Sequence, residues 1–378
     1  MNQEAPGRRD ELEPSPRVIE AAELDRQPEQ PVQRRADDAE VQEAIDGLIE
    51  RVAAGPVGRF DKRMVRELIT AGLKLIPDGR DTGELKLMNT TLKELRYAFR
   101  VFASYVNEPK VTIFGSARTP EDHADYASAV EFGKLMAESG WMSITGAGDG
   151  IMKAGHVGPG REASFGVAIR LPFETTANTI IADDEKLIHF RYFFTRKLMF
   201  LFHAEAVALF PGGFGTMDEL YETLTLIQTG KASMVPIVLV EGEVGYWEAY
   251  ERFVIDTLLK RNLISAEDTN LYKICRSPQE AASHIHHFYR RYHSSRYIRD
   301  TLVLRTKSPL TDAEIKTLER EFGSLIKSGS ITQQKGPLEG EGDAYPELWR
   351  LSFHHTRRAF GLVRAMIDRL NDLEGGPR

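Results

Sequence analysis

The 378-residue chain is 42% hydrophobic and 28% charged with a formal charge of −7, the balance of a soluble globular protein. That charge speaks against a general binder of nucleic-acid polymers or anionic membranes and leaves room for a local basic pocket. A single cysteine, Cys275, rules out an intrachain disulfide and a cysteine-rich metal site, and fits a reducing, cytoplasmic setting; neither a membrane span nor a secretory signal is expected.

Residues 1–37 are rich in Pro, Glu, Gln, Arg and Asp with almost no aromatic residues, which predicts a disordered tail. A helical region, 38–107, follows. Val41, Ile45, Leu48 and Ile49 recur at helix spacing, as do Met64, Val65, Leu68, Ile69 and Leu73, then Leu85, Leu87, Leu92, Leu95 and Phe99. Breaks near Gly55-Pro56 and at Pro77–Gly79 divide these into three helices, expected to pack on the main domain or on a second subunit.

The main domain is expected at 108–292. Val111–Phe114 reads as a buried strand ending in Gly115, Ser116 and Arg118, with a helix over 121–139. Trp141–Thr145 is the next strand, ending in Gly146, Gly148, Asp149 and Gly150, with a helix from Ile151. Phe165–Ile169 is a third, closed by Arg170–Glu174, and a helix over about 187–202 follows. Strand 205–210 leads into a helix over 217–229; strand 235–240 precedes helix 246–260, and strand 272–275 precedes helix 278–292. Strands alternating with helices imply a parallel sheet covered on both faces. In such sheets ligands bind beyond the carboxyl ends of the strands, near the switch in strand order. Gly115, Gly146, Gly148, Gly212 and Gly213 all fall at strand carboxyl ends.

Residues 297–378 form a separate pattern. Strands are expected at 299–305 and 348–353, with a further one at Ser330–Gln333, and helices at 311–327 and 357–373. This predicts a small C-terminal α+β module, with a ferredoxin-like arrangement as one candidate, joined through Arg290 and Arg291. A regulatory or dimerising role would suit it, and nothing in its residues identifies a ligand.

The most informative segment is Pro211–Glu219, after the apolar run Ala206–Phe210. It reads as strand, glycine turn and helix start. Gly212, Gly213 and Gly215 let backbone N–H groups approach an anion closely, and the helix start adds partial positive charge. Thr216 can offer a hydroxyl, and Asp218 and Glu219 stand beside the bound group. The plainer alternative is a capping box between Thr216 and Glu219 over an ordinary tight turn. Several glycine turns converging on one sheet edge favour the anion cradle.

These residues resemble a known family. Pro211–Glu219 is similar to the Pro-Gly-Gly-x-Gly-Thr-x-x-Glu signature of the LONELY GUY phosphoribohydrolases, and Arg196-Lys197 to their Arg-Lys pair. Thr145–Met152 and Ile169–Glu174 resemble segments of the longer members, so the likeness spans roughly 108–292. It implies a modified Rossmann fold, no metal or other cofactor, and a homodimer or higher homo-oligomer with sites near the subunit interface. The implied reaction is hydrolysis of the N-glycosidic bond of nucleoside 5′-monophosphates to free base and ribose 5-phosphate. The older label "lysine decarboxylase" has no chemical counterpart here, because a phosphate loop and a carboxylate do not make a pyridoxal site. Two departures concern the substrate's identity: Ala147 interrupts what many short members have as three glycines, and Asp149 brings a negative charge beside the turn.

The chemistry can be argued from the residues. Cleaving a ribosyl–base bond passes through an oxocarbenium-like sugar, which a nearby carboxylate stabilises. Glu219 is the candidate, holding the ribose hydroxyls and activating water, with Arg196 binding substrate and favouring departure of the base. Gly212, Gly213, Gly215 and Thr216 would hold the 5′-phosphate, with Gly115, Ser116, Gly146, Gly148, Lys197 and Asp218 as further contacts. His189, His203, His284, His286 and His287 lack metal-ligand spacing and read as structural or surface residues. The rival is a non-catalytic nucleotide or pterin-cofactor carrier on the same fold. A dehydrogenase is a weaker rival, since no Gly-x-Gly-x-x-Gly turn is followed by the expected ribose-binding acid.

Overall fold

The computed structural model describes residues 35–53, 59–170, 177–243, 245–342 and 345–373. Residues 1–34 of the expected tail, the break at Gly55-Pro56 and the 171–174 part of the third motif lie outside them. Among the described residues, those up to Asn89 form one compact unit and those from Thr90 a second.

In the first unit, α1 (Ala39–Val52) and α2 (Arg59–Lys74) run antiparallel. Their register is marked by Lys62–Glu50 at 2.7 Å, Lys74–Asp37 at 2.8 Å and the Arg66–Asp46 pair. Such solvent-facing pairs stabilise little. Leu48, Val52, Leu68 and Ile76 are exposed. The chain turns at Pro77–Gly79, where Gly79 has φ +61°, before α3 (Thr82–Ala103) begins.

The second unit is built on a seven-stranded sheet: β1 (Lys110–Phe114), β2 (Met142–Thr145), β3 (Ser164–Ile169), β4 (Leu187–Phe190), β5 (Ala206–Leu209), β6 (Ile237–Val240) and β7 (Lys273–Cys275). The order is β4-β3-β2-β1-β5-β6-β7, and every pairing is parallel. The central strands are buried on both faces, as crossover helices require. Period-two alternation sends Val111, Ile113, Ala206, Ala208, Val238 and Val240 to one core, against α4 (Ala124–Glu138) and α9 (Pro278–Phe288). Ile144, Phe165, Val207, Leu209 and Leu239 enter the other, against the end of α3, α6 (Phe193–Phe202) and α7 (Phe214–Gln228). Phe102 of α3 stacks on Phe165 at 4.4 Å. The remaining helices are α5 (Ile151–Val157) and α8 (Tyr246–Phe253). This is the α/β, Rossmann-type architecture expected from the alternation.

Two expectations fail within this layer. The helix expected over 187–202 starts only at Phe193, because Leu187–Phe190 pairs in parallel with Gly166–Ile169. There Ile188 and Phe190 are buried while His189 points out, a strand's alternation. Helix 278–292 ends at Phe288, since Tyr292–Ile298 leaves as strand β8.

The C-terminal module is a four-stranded antiparallel sheet with order β10-β11-β9-β8. Its parts are β8, β9 (Thr301–Thr306), α10 (Asp312–Phe322), β10 (Ile326–Lys335), β11 (Trp349–His355) and α11 (Phe360–Asp372). Strand–strand–helix twice over is not the ferredoxin-like βαββαβ order, so that candidate is set aside. Helix α11 starts later than expected because Arg357 and Ala359 have φ of +58° and +54°, outside helical space. Among the described residues no helix is long and apolar enough to cross a membrane.

Candidate functional site

Strand order reverses between β1 and β5, and the loops leaving these two neighbours open onto one cleft of about 790 Å³. Backbone bonds stitch its floor: Ser116 N donates to Pro211 O at 3.1 Å, and Ile151 N to Ser116 O at 3.0 Å. Gly150 (φ +60°) passes so close to Ser116 O that no side chain fits there.

Gly115, Ser116, Arg118, Gly146, Arg196, Gly212, Gly213, Gly215, Thr216, Asp218 and Glu219 all line this cleft. Gly148 and Lys197 do not. A Cβ on Gly148 would meet Met152 Cε at 2.6 Å, and its carbonyl accepts Asn178 Nδ2 at 3.0 Å. The glycines divide by what surrounds them. Gly115 is demanded by packing against the branched Ile151 at 2.5 Å, Gly146 lies 2.5 Å from the more yielding Met152 sulfur, and Gly212 is crowded by Thr216. Around Gly213 and Gly215 there is nothing within 4 Å. No protein packing requires glycine there, so their bareness leaves room for a ligand against the backbone.

The helix after the loop begins at Phe214, not 217, with Gly213 as N-cap and no side-chain cap bond. The alternative reading of Thr216 and Glu219 as a capping box is therefore set aside; Thr216 lies within the first turn, tucked against Gly212. Asp218 and Glu219 fall in the second turn, not the first. That depth matters for Glu219, which is 8% exposed. Its Oε2 has no hydrogen-bond partner, and its Oε1 lies 3.7 Å from Lys197 Nζ. Burial pushes its carboxyl up to about 7, against the pull of Lys197. Lys197 is shared: Asp218 lies at 2.8 Å and Glu222 at 2.6 Å. Burial opposes its charge, yet the bonds to Asp218 and Glu222 prevail and hold its ammonium above the usual range.

Arg196, one residue earlier on α6, lies over the rings of Phe200 (5.1 Å) and Phe193 (5.7 Å). A Cβ on Gly146 would stand 3.2 Å from its Nη2, so that glycine also gives the guanidinium space. Arg196 is near enough to Glu219 to favour its ionised form. The cleft thus joins a glycine loop at a helix start, a buried carboxylate with one unpartnered oxygen, and a guanidinium.

Ala147 takes φ +63°, the conformation a third glycine would adopt freely. Its N–H donates to Thr145 Oγ1 at 3.1 Å and its carbonyl accepts Asn178 N at 2.8 Å. Asp149 is exposed, lies off the cleft lining and is not the α5 cap, which is Gly150. His284 and His287 are engaged by Arg364 (2.9 Å) and Asp372 (2.7 Å).

The sequence reading missed Phe114, Met152, Phe193, Phe200 and Phe214 in the lining, and Tyr246 behind it. The apolar run through Phe193 and Phe200 was a usable signal; for Tyr246 the start of a helix at the same sheet edge was the only one.

Comparisons with known proteins bear on this site. Residues 147–285 match the family described as "Possible lysine decarboxylase", a span holding Arg196, Glu219 and the 211–219 loop but not Gly115, Ser116 or Gly146. Comparison with curated proteins gives no match. Among solved structures, the molybdenum cofactor binding protein of Rippkaea orientalis is 22% identical, with 48% of this chain and 96% of that one covered and a TM-score of 0.34. The molybdenum cofactor carrier protein of Chlamydomonas reinhardtii is 19% identical, with 48% and 97% covered and a TM-score of 0.34. DNA processing protein A of Streptococcus pneumoniae is 12% identical, with 67% and 95% covered and a TM-score of 0.36. Likenesses of this degree decide nothing about ligand or activity.

Proposed function

We propose, from the premise that residues 147–285 form a LONELY GUY-type domain of the "Possible lysine decarboxylase" family, that this protein hydrolyses nucleoside 5′-monophosphates to free base and ribose 5-phosphate. The observation that carries the reading is Glu219: a buried carboxyl with one unpartnered oxygen, in the same cleft as Arg196 and the glycine loop. Buried polar atoms in native structures are nearly always paired, so an unpartnered carboxylate oxygen on a residue that lines the cleft favours a bound group as its partner.

In this mechanism the 5′-phosphate rests on the amides at the start of α7, around Gly212, Gly213 and Gly215. That contact places the ribose beside Glu219. As the bond to the base breaks, the ionised Glu219 stabilises the positive charge growing on the sugar and orients the attacking water. Arg196 donates hydrogen bonds that favour departure of the base, which leaves with the bonding pair and takes up the proton that the water loses on joining the sugar carbon. Lys197 holds Asp218 and Glu222 and assists ionisation of Glu219. The chemistry requires the carboxylate form, so the rate should rise with pH through about 7, where Glu219 titrates.

The rival reading, a nucleotide or pterin-cofactor carrier, draws on the same loop. The open space at Gly213 and Gly215 serves retention as well as turnover, but a carrier needs neither Glu219 nor Arg196 at the cleft. One experiment separates them: the pure protein is incubated with a panel of nucleoside monophosphates, and free base and ribose 5-phosphate are measured. Tight binding without release of base would support the carrier. Equal release from nucleosides lacking phosphate would count against the anion cradle.

The proposal includes a homodimer or higher oligomer. Phe193 (56% exposed) and Phe214 (95%) line the cleft and, with Phe194 (50%) next to Phe193 in the chain, leave aromatic surface there for a second copy to cover. A monomer at micromolar concentration in sedimentation would refute this part.

A further inference from the structure

We propose that Tyr246 is a positioning residue that locks the Gly212–Gly213 peptide with its N–H turned toward the cleft. The inference deepens the reading of this loop as a phosphate cradle and rests on it. Tyr246 is the first residue of α8, on the strand–helix unit after the loop, and lies outside the cleft lining. Its hydroxyl donates to Gly212 O at 2.5 Å; the Met217 sulfur, at 3.6 Å, is the weaker alternative acceptor.

In a trans peptide the carbonyl and the following N–H point in opposite directions, and no cis bond occurs among the described residues. A Gly212 carbonyl held back by Tyr246 therefore turns the Gly213 N–H the other way, toward the cleft. A peptide between two glycines has little steric preference for either orientation, because both residues reach positive and negative φ freely. Flipped, it would present a carbonyl oxygen where an anion must sit. The tyrosine bond selects the orientation that offers a donor, at the residue that caps α7.

The tyrosine is itself held. The amides on either side of it, Gly245 N and Trp247 N, donate to the two oxygens of Glu241 at 3.1 and 3.0 Å. Glu241 is buried, and Trp247, fully buried, donates its indole N–H to Val240 O at 3.0 Å. The corner after β6 is thus a braced mount from which the Tyr246 hydroxyl reaches into the neighbouring loop.

The test is calorimetric titration of wild type and Tyr246→Phe with AMP, adenosine and ribose 5-phosphate, both proteins carrying Glu219→Gln in the titrations so that AMP is bound and not hydrolysed, alongside thermal melts. Expected is a wild type that prefers AMP to adenosine, and a variant that binds AMP and ribose 5-phosphate about tenfold more weakly, the equivalent of one strong hydrogen bond. Adenosine affinity and melting temperature should not move, and in turnover KM for AMP should rise more than kcat falls. A variant that keeps its preference for the phosphorylated ligand overturns the lock. So does one that loses AMP and adenosine equally, since that is general packing damage. A wild type that binds AMP no better than adenosine removes the phosphate cradle itself, and the lock with it.

Discussion

The cleft of the parallel sheet and the C-terminal antiparallel module each bury a glutamate to nearly the same depth, 8% exposed for Glu219 and 4% for Glu341. Their surroundings differ completely. Glu341 is clasped by two arginines: Arg305 lies at 2.6 Å, Arg350 Nε at 3.1 Å, and Leu338 N donates at 3.0 Å. Burial alone would raise its carboxyl, but the bonds from Arg350, Leu338 and Arg305 outweigh it and hold the group down at about 2. Glu219 has Lys197 at 3.7 Å, the weaker pull of Arg196 and one oxygen without a hydrogen-bond partner, and burial carries it up to about 7. A buried carboxylate with every bond made holds a fold together. One left short of partners costs stability and is retained for what enters the cleft.

The sharpest way to break this contrast is to neutralise each acid. Glu341→Gln leaves Arg305 and Arg350 without their counter-charge inside the module, and loss of one partner from a buried ion cluster costs about 3–5 kcal/mol. Chemical denaturation should show that loss, with nucleotide binding retained while the protein is folded. Glu219→Gln should do the reverse. Its barrier to turnover should rise by about 3 kcal/mol, roughly a hundredfold in rate, as for loss of one preorganised electrostatic contact. Its stability should hold or improve, because the amide removes an ill-partnered charge. Full activity in Glu219→Gln, or an undiminished Glu341→Gln, would erase the distinction.

The two acids should also bend the pH–stability curve in opposite directions, each by on the order of 1–3 kcal/mol. Glu219 titrates higher in the folded protein than its unfolded value of 4.5. Between 4.5 and about 7 the folded state therefore holds more protons, and stability falls as pH rises. Glu341 titrates lower, so its contribution is complete above 4.5 and is lost as pH falls toward about 2. Unfolding of wild type and both Gln variants across pH 3–8 isolates each slope as a difference. Parallel curves for wild type and Glu219→Gln above pH 5 would contradict the raised titration.

The same contrast marks what the sequence could reveal. Strands such as Val111–Phe114 were legible because burial on both faces leaves a continuous apolar run. The glycine loop was legible because its residue types have few uses together. Leu187–Phe190 was hidden because only Arg191 and Tyr192 separate it from the apolar start of α6, and Tyr292–Ile298 because it is polar and follows α9 almost directly. The partner count of a carboxylate is set by chain segments far apart in sequence: Glu341 depends on Arg305, and Gly212 on Tyr246, each more than 30 residues away. Its place after the glycine loop marked Glu219 as a candidate; its missing partner is a property of the packed α6–α7 pair.

The smallest change sharpens the comparison from within the cleft. Lys197→Met removes the ammonium that favours ionised Glu219, and it also leaves Asp218 and Glu222 unneutralised beside that carboxyl. Both consequences act in one direction, since loss of a cation and exposure to like charge each disfavour the carboxylate. The rising limb of the pH–rate profile should therefore move to higher pH, with a few-fold lower rate at pH 7 and a maximal rate at high pH close to that of wild type. A direct role for Lys197 on the substrate would predict something else: a rate lowered by the same factor at every pH. The profile distinguishes a residue that tunes Glu219 from one that touches the reacting nucleotide, and methionine's similar length keeps the α6–α7 contact filled while the charge is removed.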